Sequence, residues 1–220
     1  TGHANSDIYR STFDNLCVHW GFDDWDFTID DTNISGSIAT NRSAISLSNA
    51  VNQELKDQGI FDVKAGAYTE VRISGNIVKL SYGTLTISDS SSSWDIDLNE
   101  TPGSGSVHTN FQEFSEKLNL QVSDHGALDL TMLRSEVIDN ELVLISEQGY
   151  KISLKPYFAT SGGEDVHWKD YSNFKAGDSI SHSGSIPFEG SGYRLNFSGN
   201  IYFESDRMFT IASNGADYMN

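Results

Sequence analysis

Six histidines, one cysteine and 31 carboxylates are the side chains of this 220-residue chain whose chemistry depends on meeting a partner at the right spacing. The histidines, at positions 3, 19, 108, 125, 167 and 182, form no H-x-x-x-H pair or other helical ligand spacing, so zinc chemistry has no signal. Cys17 stands alone, which excludes an internal disulfide and a Cys-based metal site within one chain. Set among apolar residues, it reads as a small buried hydrophobe rather than a nucleophile. No Gly-rich phosphate loop, G-x-S-x-G elbow or kinase signature occurs. Pairs of carboxylates suited to glycoside hydrolysis can be drawn from any of the acids, which gives that chemistry no specificity.

Two local clusters are sharper. Asp23, Asp24, Asp26, Asp30 and Asp31 crowd one decapeptide and invite calcium, but the glycine and glutamate of an EF-hand loop are missing from their places. The plainer reading is a solvated strand face. His167-Trp168, between Asp165 and Asp170, is the best arrangement for sugar stacking or proton transfer. Its plainer reading is a tryptophan anchoring a loop, with the acids facing water.

Composition narrows the partners. A net charge of −17 disfavours phosphate-backbone binding, which needs clustered Lys and Arg, so no nucleic acid is expected. No run approaches the ~18 apolar residues of a membrane span, and Thr1-Gly-His-Ala-Asn has neither the basic nor the apolar region of a signal peptide. Asn33, Asn41, Asn99 and Asn196 begin Asn-x-Ser/Thr sequons, which an Asn- and Ser-rich chain produces by chance. Twelve Phe, nine Tyr and four Trp require a packed core.

The elements that must hold these residues follow from periodicity. Ile8, Tyr9, Phe13, Leu16, Cys17 and Trp20 have roughly helical spacing, which predicts an N-terminal helix over 6–21. Trp25, Phe27 and Ile29 alternate with polar residues as a half-buried strand does. Leu47, Ala50, Val51 and Leu55 form one stripe of a helix over 46–58, with Ser46 as its cap and Gly59 as its exit. A meander of hairpins is expected after it, turning at Gly75-Asn76 and Gly83, and Asp89–Ser93 reads as a turn or linker.

The order then recurs. Trp94-Asp-Ile-Asp-Leu echoes Trp25-Asp-Phe-Thr-Ile, and after the loop at Pro102 the run Thr109-Asn-Phe-Gln112 matches a capping box. Its helix carries Phe111, Phe114, Leu118 and Val122 and ends at Gly126; a turn follows at Asp139-Asn140. Leu142–Ile145 and Tyr150–Leu154 read as paired strands around Gln148-Gly149. The expected fold is α+β and β-rich: repeated units of one short helix packed on an antiparallel sheet, followed by a β-meander or sandwich segment. The expected segments are residues 1–90, with the N-terminal helix; 91–156; and 157–220, either completing the second unit or standing alone.

Several stretches carry a family resemblance. Trp25-Asp-Phe-Thr-Ile, Ser46-Leu-Ser-Asn-Ala-Val-Asn, Gly59-Ile-Phe-Asp-Val-Lys-Ala and Ile77-Val-Lys-Leu come first. Phe111-Gln-Glu-Phe-Ser-Glu-Lys-Leu-Asn, Val137-Ile-Asp-Asn-Glu-Leu-Val-Leu-Ile-Ser-Glu-Gln-Gly-Tyr-Lys-Ile and Tyr193-Arg-Leu-Asn-Phe-Ser-Gly-Asn follow, with Ser205-Asp-Arg-Met-Phe-Thr-Ile near the end. Together they resemble the insertion motifs in the variable outer domains of bacterial flagellar axial proteins: flagellin, hook-associated and cap proteins. Ser205 stands where the family's motif has Gly, Cys17 is unusual for such proteins, and their coiled-coil termini are not in this sequence.

The resemblance implies a structural, surface-exposed domain of an extracellular filament assembly, without enzymatic activity or cofactor, whose partners are neighbouring subunits. The competing expectation is a secreted carbohydrate-binding or adhesin module in which Trp168 and Tyr171 stack on sugars. A phage tail or virion decoration domain is the third.

Overall fold

The computed structural model describes residues 9–17, 24–37, 43–75, 77–81, 84–97, 110–154, 157–160, 166–171, 180–186 and 195–213. In chain order these form β1 (Tyr9–Cys17), β2 (Asp24–Ile29), β3 (Thr32–Ser37), α1 (Ala44–Asp57), β4 (Val63–Ser74), β5 (Ile77–Ser81), β6 (Thr84–Ser88) and β7 (Ser93–Asp97). Then come α2 (Phe111–Asp124), β8 (Arg134–Ile138), β9 (Glu141–Ser146), β10 (Lys151–Leu154), β11 (Tyr157–Thr160), β12 (Val166–Tyr171), β13 (Ile180–Ile186), β14 (Leu195–Phe197), β15 (Asn200–Ser205) and β16 (Ile211–Ser213). Two helices against antiparallel sheets make the fold α+β and β-rich.

The twelve-residue β4 is its spine. Its first half pairs with β15, from Val63↔Ser205 to Tyr68↔Asn200. Its second half pairs with β9, from Thr69↔Ser146 to Ile73↔Leu142, and also with β12, from Glu70↔Tyr171 to Ser74↔His167. One strand edge holds one neighbour at a time, so β9 and β12 lie on opposite edges. Beyond them are β8 on β9, β13 on β12 and β1 on β15. The smaller sheets run β16-β2-β3, β14-β10-β6-β7 and β11-β5.

Strand alternation divides β4 between cores. Val63, Ala65 and Ala67 join Trp25, Phe27, Ile29 and Ile34 of the β2–β3 hairpin under α1. Further along the same face, Val71 and Ile73 join Leu85, Ile87 and Ile96 of the β6–β7 hairpin under α2. The other face turns Tyr68 toward Val143 and Ile145 of β9. The helices bury similar faces, α1 through Ala44, Leu47, Ser48, Val51 and Leu55 and α2 through Phe111, Phe114, Ser115, Leu118 and Val122. Each sealed Val or Leu contributes about 1.5–3 kcal/mol.

Several expectations are overturned. Residues 9–17 form an antiparallel edge strand on β15, not a helix. Their spacing suited either element, and Tyr9 and Thr12 are β-formers that find a ladder to extend, opposite Ser205 and Tyr202. The runs around Gly149 are not a hairpin: β9 pairs with β4 and β8, while β10 pairs with β6 and β14. Nor do β4, β5 and β6 form a meander, since β5 pairs with β11 and β6 with β7 and β10. The caps are Ser43 and Asn110, whose side chains accept from the N–H groups of Ser46 and Glu113; Thr109 lies outside the described residues.

Trp25 sits on the first strand of its hairpin and Trp94 on the second, so the two tryptophans do not occupy corresponding places. The boundary expected between residues 90 and 91 falls inside the β6–β7 hairpin. From the last segment, β15 and β16 join strands of the first ninety residues and β14 joins β10.

Candidate functional site

The most deeply placed charge among the described residues is Glu70, at 2% exposure on the face of β4 turned away from the helices. Its neighbours on that face are Tyr68 and Arg72, two residues to either side, as strand period requires. The Tyr68 hydroxyl donates to Glu70 Oε2 at 2.7 Å and Arg72 Nε donates to Oε1 at 2.9 Å. Arg72 Nη1 also stands 3.9 Å from Glu141. Burial, followed by the bond to Glu70 and its negative charge, pushes the Tyr68 hydroxyl far above its ordinary range. Tyr68 is therefore a fixed donor at neutral pH, not a base. Both carboxylate oxygens of Glu70 are engaged, and the arrangement holds a buried charge in register across β4.

The start of α1 is held by groups from distant parts of the chain. Ala44 N–H donates to Ser198 C=O at 2.7 Å and Ile45 N–H to Gly149 C=O at 2.9 Å. Thr69 Oγ1 donates to Tyr150 C=O at 2.9 Å. Two glycines permit this approach. A Cβ on Gly149 (φ +75) would lie 2.3 Å from Ala67 Cβ, and one on Gly199 (φ +81) would lie 2.2 Å from Thr69 Oγ1.

Each helix is fastened to the strand after it by an asparagine. Asn52 takes the N–H of Ala65 on Oδ1 and gives Nδ2–H to its C=O, both at 2.8 Å. Asn119 does the same to Ser135, at 2.8 and 2.7 Å. These residues carry no motif of known chemistry. Their one signal is the pair of strings Leu47-Ser-Asn-Ala-Val-Asn and Phe114-Ser-Glu-Lys-Leu-Asn, in which Ser and Asn recur at equal spacing.

A surface latch joins β2, β4 and β15. Arg207 bridges Asp62 through Nε and Asp30 through Nη1. Asp30 Oδ1 accepts from Thr210 N–H at 2.7 Å, and Ser205 Oγ donates to Asp62 C=O at 2.6 Å. The Thr210 N–H, then Arg207, hold the Asp30 carboxyl below the usual range, and the bond from Arg207 does the same for Asp62. Phe61 and Met208, beside the latch, are both exposed.

The residues singled out in the sequence are dispersed. Asp24 and Asp26 lie on β2, and Asp30 is drawn into the latch; Asp23 is outside the described residues. No group of three potential metal ligands occurs among the described residues. His167 is exposed on β12, Trp168 and Asp170 follow it along that strand, and Asp165 lies outside the described residues. His125 closes α2, its Nδ1 accepting the Ala127 N–H at 3.3 Å, and His182 is on β13. Backbone of Cys17 ends β1. His3, His19 and His108, the loop at Pro102, and the sequons at Asn41 and Asn99 are outside the described residues. Among the described residues no helix is long and apolar enough to cross a membrane. No protein-family model matches the sequence, and no curated protein matches it.

Proposed function

We propose that the chain is built from two copies of one helix-on-sheet unit and acts as a structural, surface-exposed domain of an extracellular filament assembly, of the bacterial flagellar hook-associated or filament type that its motifs resemble. The observation that carries the two-copy reading is a set of matching registers. In the first copy β2 pairs with β3 through Phe27↔Ile34, and β16 returns to β2 through Ile211↔Ile29. In the second, β6 pairs with β7 through Leu85↔Ile96, and β10 returns to β6 through Ile152↔Ile87. Between hairpin and return strand each has a capped fourteen-residue helix, an asparagine clamp, and a clamped strand laddered to its next partner. Ala65 faces Phe203 in one ladder and Ser135 faces Leu144 in the other.

This construction suits a display role. Two units that share β4 and interlock at Gly149 and Gly199 move as a block. The charge of −17 keeps a densely repeated surface soluble and holds acidic neighbours apart. Neighbouring subunits are the proposed partners, outside the cell.

A glycan array tests the function. The structural reading expects no saturable sugar binding; saturable binding that disappears in Trp168→Ala would replace it with carbohydrate recognition. The gene on either side of this segment is the second test. Heptad-patterned helices flanking it on both sides fit a filament subunit, and a gene without them removes that reading.

A further inference from the structure

We infer that the Asp139-Asn140 turn is an insertion port, a point at which the fold accepts an additional folded segment. The inference rests on the two-copy reading above and on where the copies differ. In the first copy the β4–β15 ladder runs from the clamped Ala65, opposite Phe203, to Tyr68, opposite Asn200. In the second, the β8–β9 ladder runs from the clamped Ser135, opposite Leu144, to Ile138, opposite Glu141. Each clamped residue is followed by its last paired residue three positions on, so the ladders end at the same place.

What closes them differs. The second ladder is closed by Asp139 and Asn140, at φ 51° and 63°, the left-handed pair of a tight hairpin turn. The first is closed by everything from Thr69 to Gly199, including the whole second copy. The first unit therefore already carries a folded unit at the position that Asp139-Asn140 fills in the second. Its stem is tight, because Gly199 lies against Thr69 so closely that a Cβ would be 2.2 Å from the threonine hydroxyl. Entry and exit lie side by side, the geometry in which an inserted domain with neighbouring termini leaves its host undisturbed. Both turn residues are exposed.

The Asp30-Asp31 turn provides the internal comparison. It has the same left-handed pair, at φ 45° and 67°, but Asp30 is tied to Thr210 and Arg207. Into the whole chain, a small monomeric domain with adjacent termini is inserted between Asp139 and Asn140 through short Gly-Ser linkers, and separately between Asp30 and Asp31. A Gly-Ser loop of about 12 residues replaces the domain in a second pair of variants, to separate the effect of the cargo from that of opening the turn. Thermal unfolding is followed by near-ultraviolet circular dichroism. The 139/140 variants are expected to keep the parent midpoint within a few degrees, while the 30/31 variants fall well below it. An equal or larger fall at 139/140, with the loop as well as with the domain, overturns the port. The filament reading is untouched by that result, since it rests on the flanking gene and on sugar binding. The two-copy reading is tested separately by the behaviour of its asparagine clamps.

Discussion

Asn52 and Asn119 each stand at the ninth residue of a fourteen-residue helix, and each grips one residue of the following strand by both its N–H and its C=O. A carboxamide matches a backbone peptide in both donor and acceptor, so one side chain closes two bonds that the helix–strand contact leaves unmade. Asn52→Ala and Asn119→Ala each orphan two backbone groups, and each is expected to cost about 1–3 kcal/mol in urea unfolding, with a similar m-value. If the units are copies, the two losses match within about 1 kcal/mol. A clamp whose removal costs nothing would argue against the equivalence.

Gly149→Ala tests the junction. Alanine at φ +75 is strained, and its Cβ would meet Ala67 at 2.3 Å, so a loss of about 2–4 kcal/mol is expected. Gly59 has nearly the same φ, +76, with nothing within 4 Å. Gly59→Ala should lose only the backbone part, about 1–2 kcal/mol. Equal losses in the two variants would show that contact with Ala67 contributes nothing.

Glu70→Ala removes an acceptor from both Tyr68 and Arg72 and takes from the arginine the carboxylate that stands 2.9 Å from its Nε. A loss of about 3–5 kcal/mol is expected. Tyr68→Phe, which takes one donor from the carboxylate, should lose about 1–3 kcal/mol. Denaturant midpoints of both variants check the ranking, and a stabilised Glu70→Ala would show that the buried charge is a net burden.

The latch predicts a sign for acid sensitivity. Asp30 and Asp62 have depressed folded-state pKa values, so their contribution is fully present above the unfolded carboxylate value of about 3.9 and is lost as pH falls through the lower folded values. Asp129, held down by Thr131, acts in the same direction. The midpoint difference between the parent and Asp30→Asn should be constant from pH 7 to about 5 and close below about 4. A difference that widens on acidification would contradict the latch.

Local pattern was legible wherever one face meets one core. Trp25, Phe27 and Ile29 alternate as their burial does, and the stripes of both helices lie where 3.6-residue periodicity puts them. Pairing was not legible, because partners are set by distant chain. Ser43 and Ser46 are equally good caps on paper; helix start at Ala44 is fixed by the carbonyls of Ser198 and Gly149. The run Leu142-Val-Leu-Ile145 did hold an unused signal. Four successive buried apolar residues mean both faces are covered: Leu142 and Leu144 enter the core under α2, while Val143 and Ile145 meet Tyr68. Such a strand sits inside a sheet, which argues against a hairpin with its alternating neighbour. Glu70 was invisible among the other acids: Tyr68 and Arg72 stand at i−2 and i+2 on the same strand, but only the assembled sheet buries the carboxylate and turns this spacing into a closed pair of bonds.

The unbroken ladder along β4 also determines how the molecule answers a pull. Drawn along its own axis, β4 is gripped at its first half by β15 and at its second by β9 and β12, all antiparallel. Force in that direction loads these bonds in shear, together, whereas force across the strand peels them one at a time. The chain is thus mechanically anisotropic, stiffest along the strand that its two helices share.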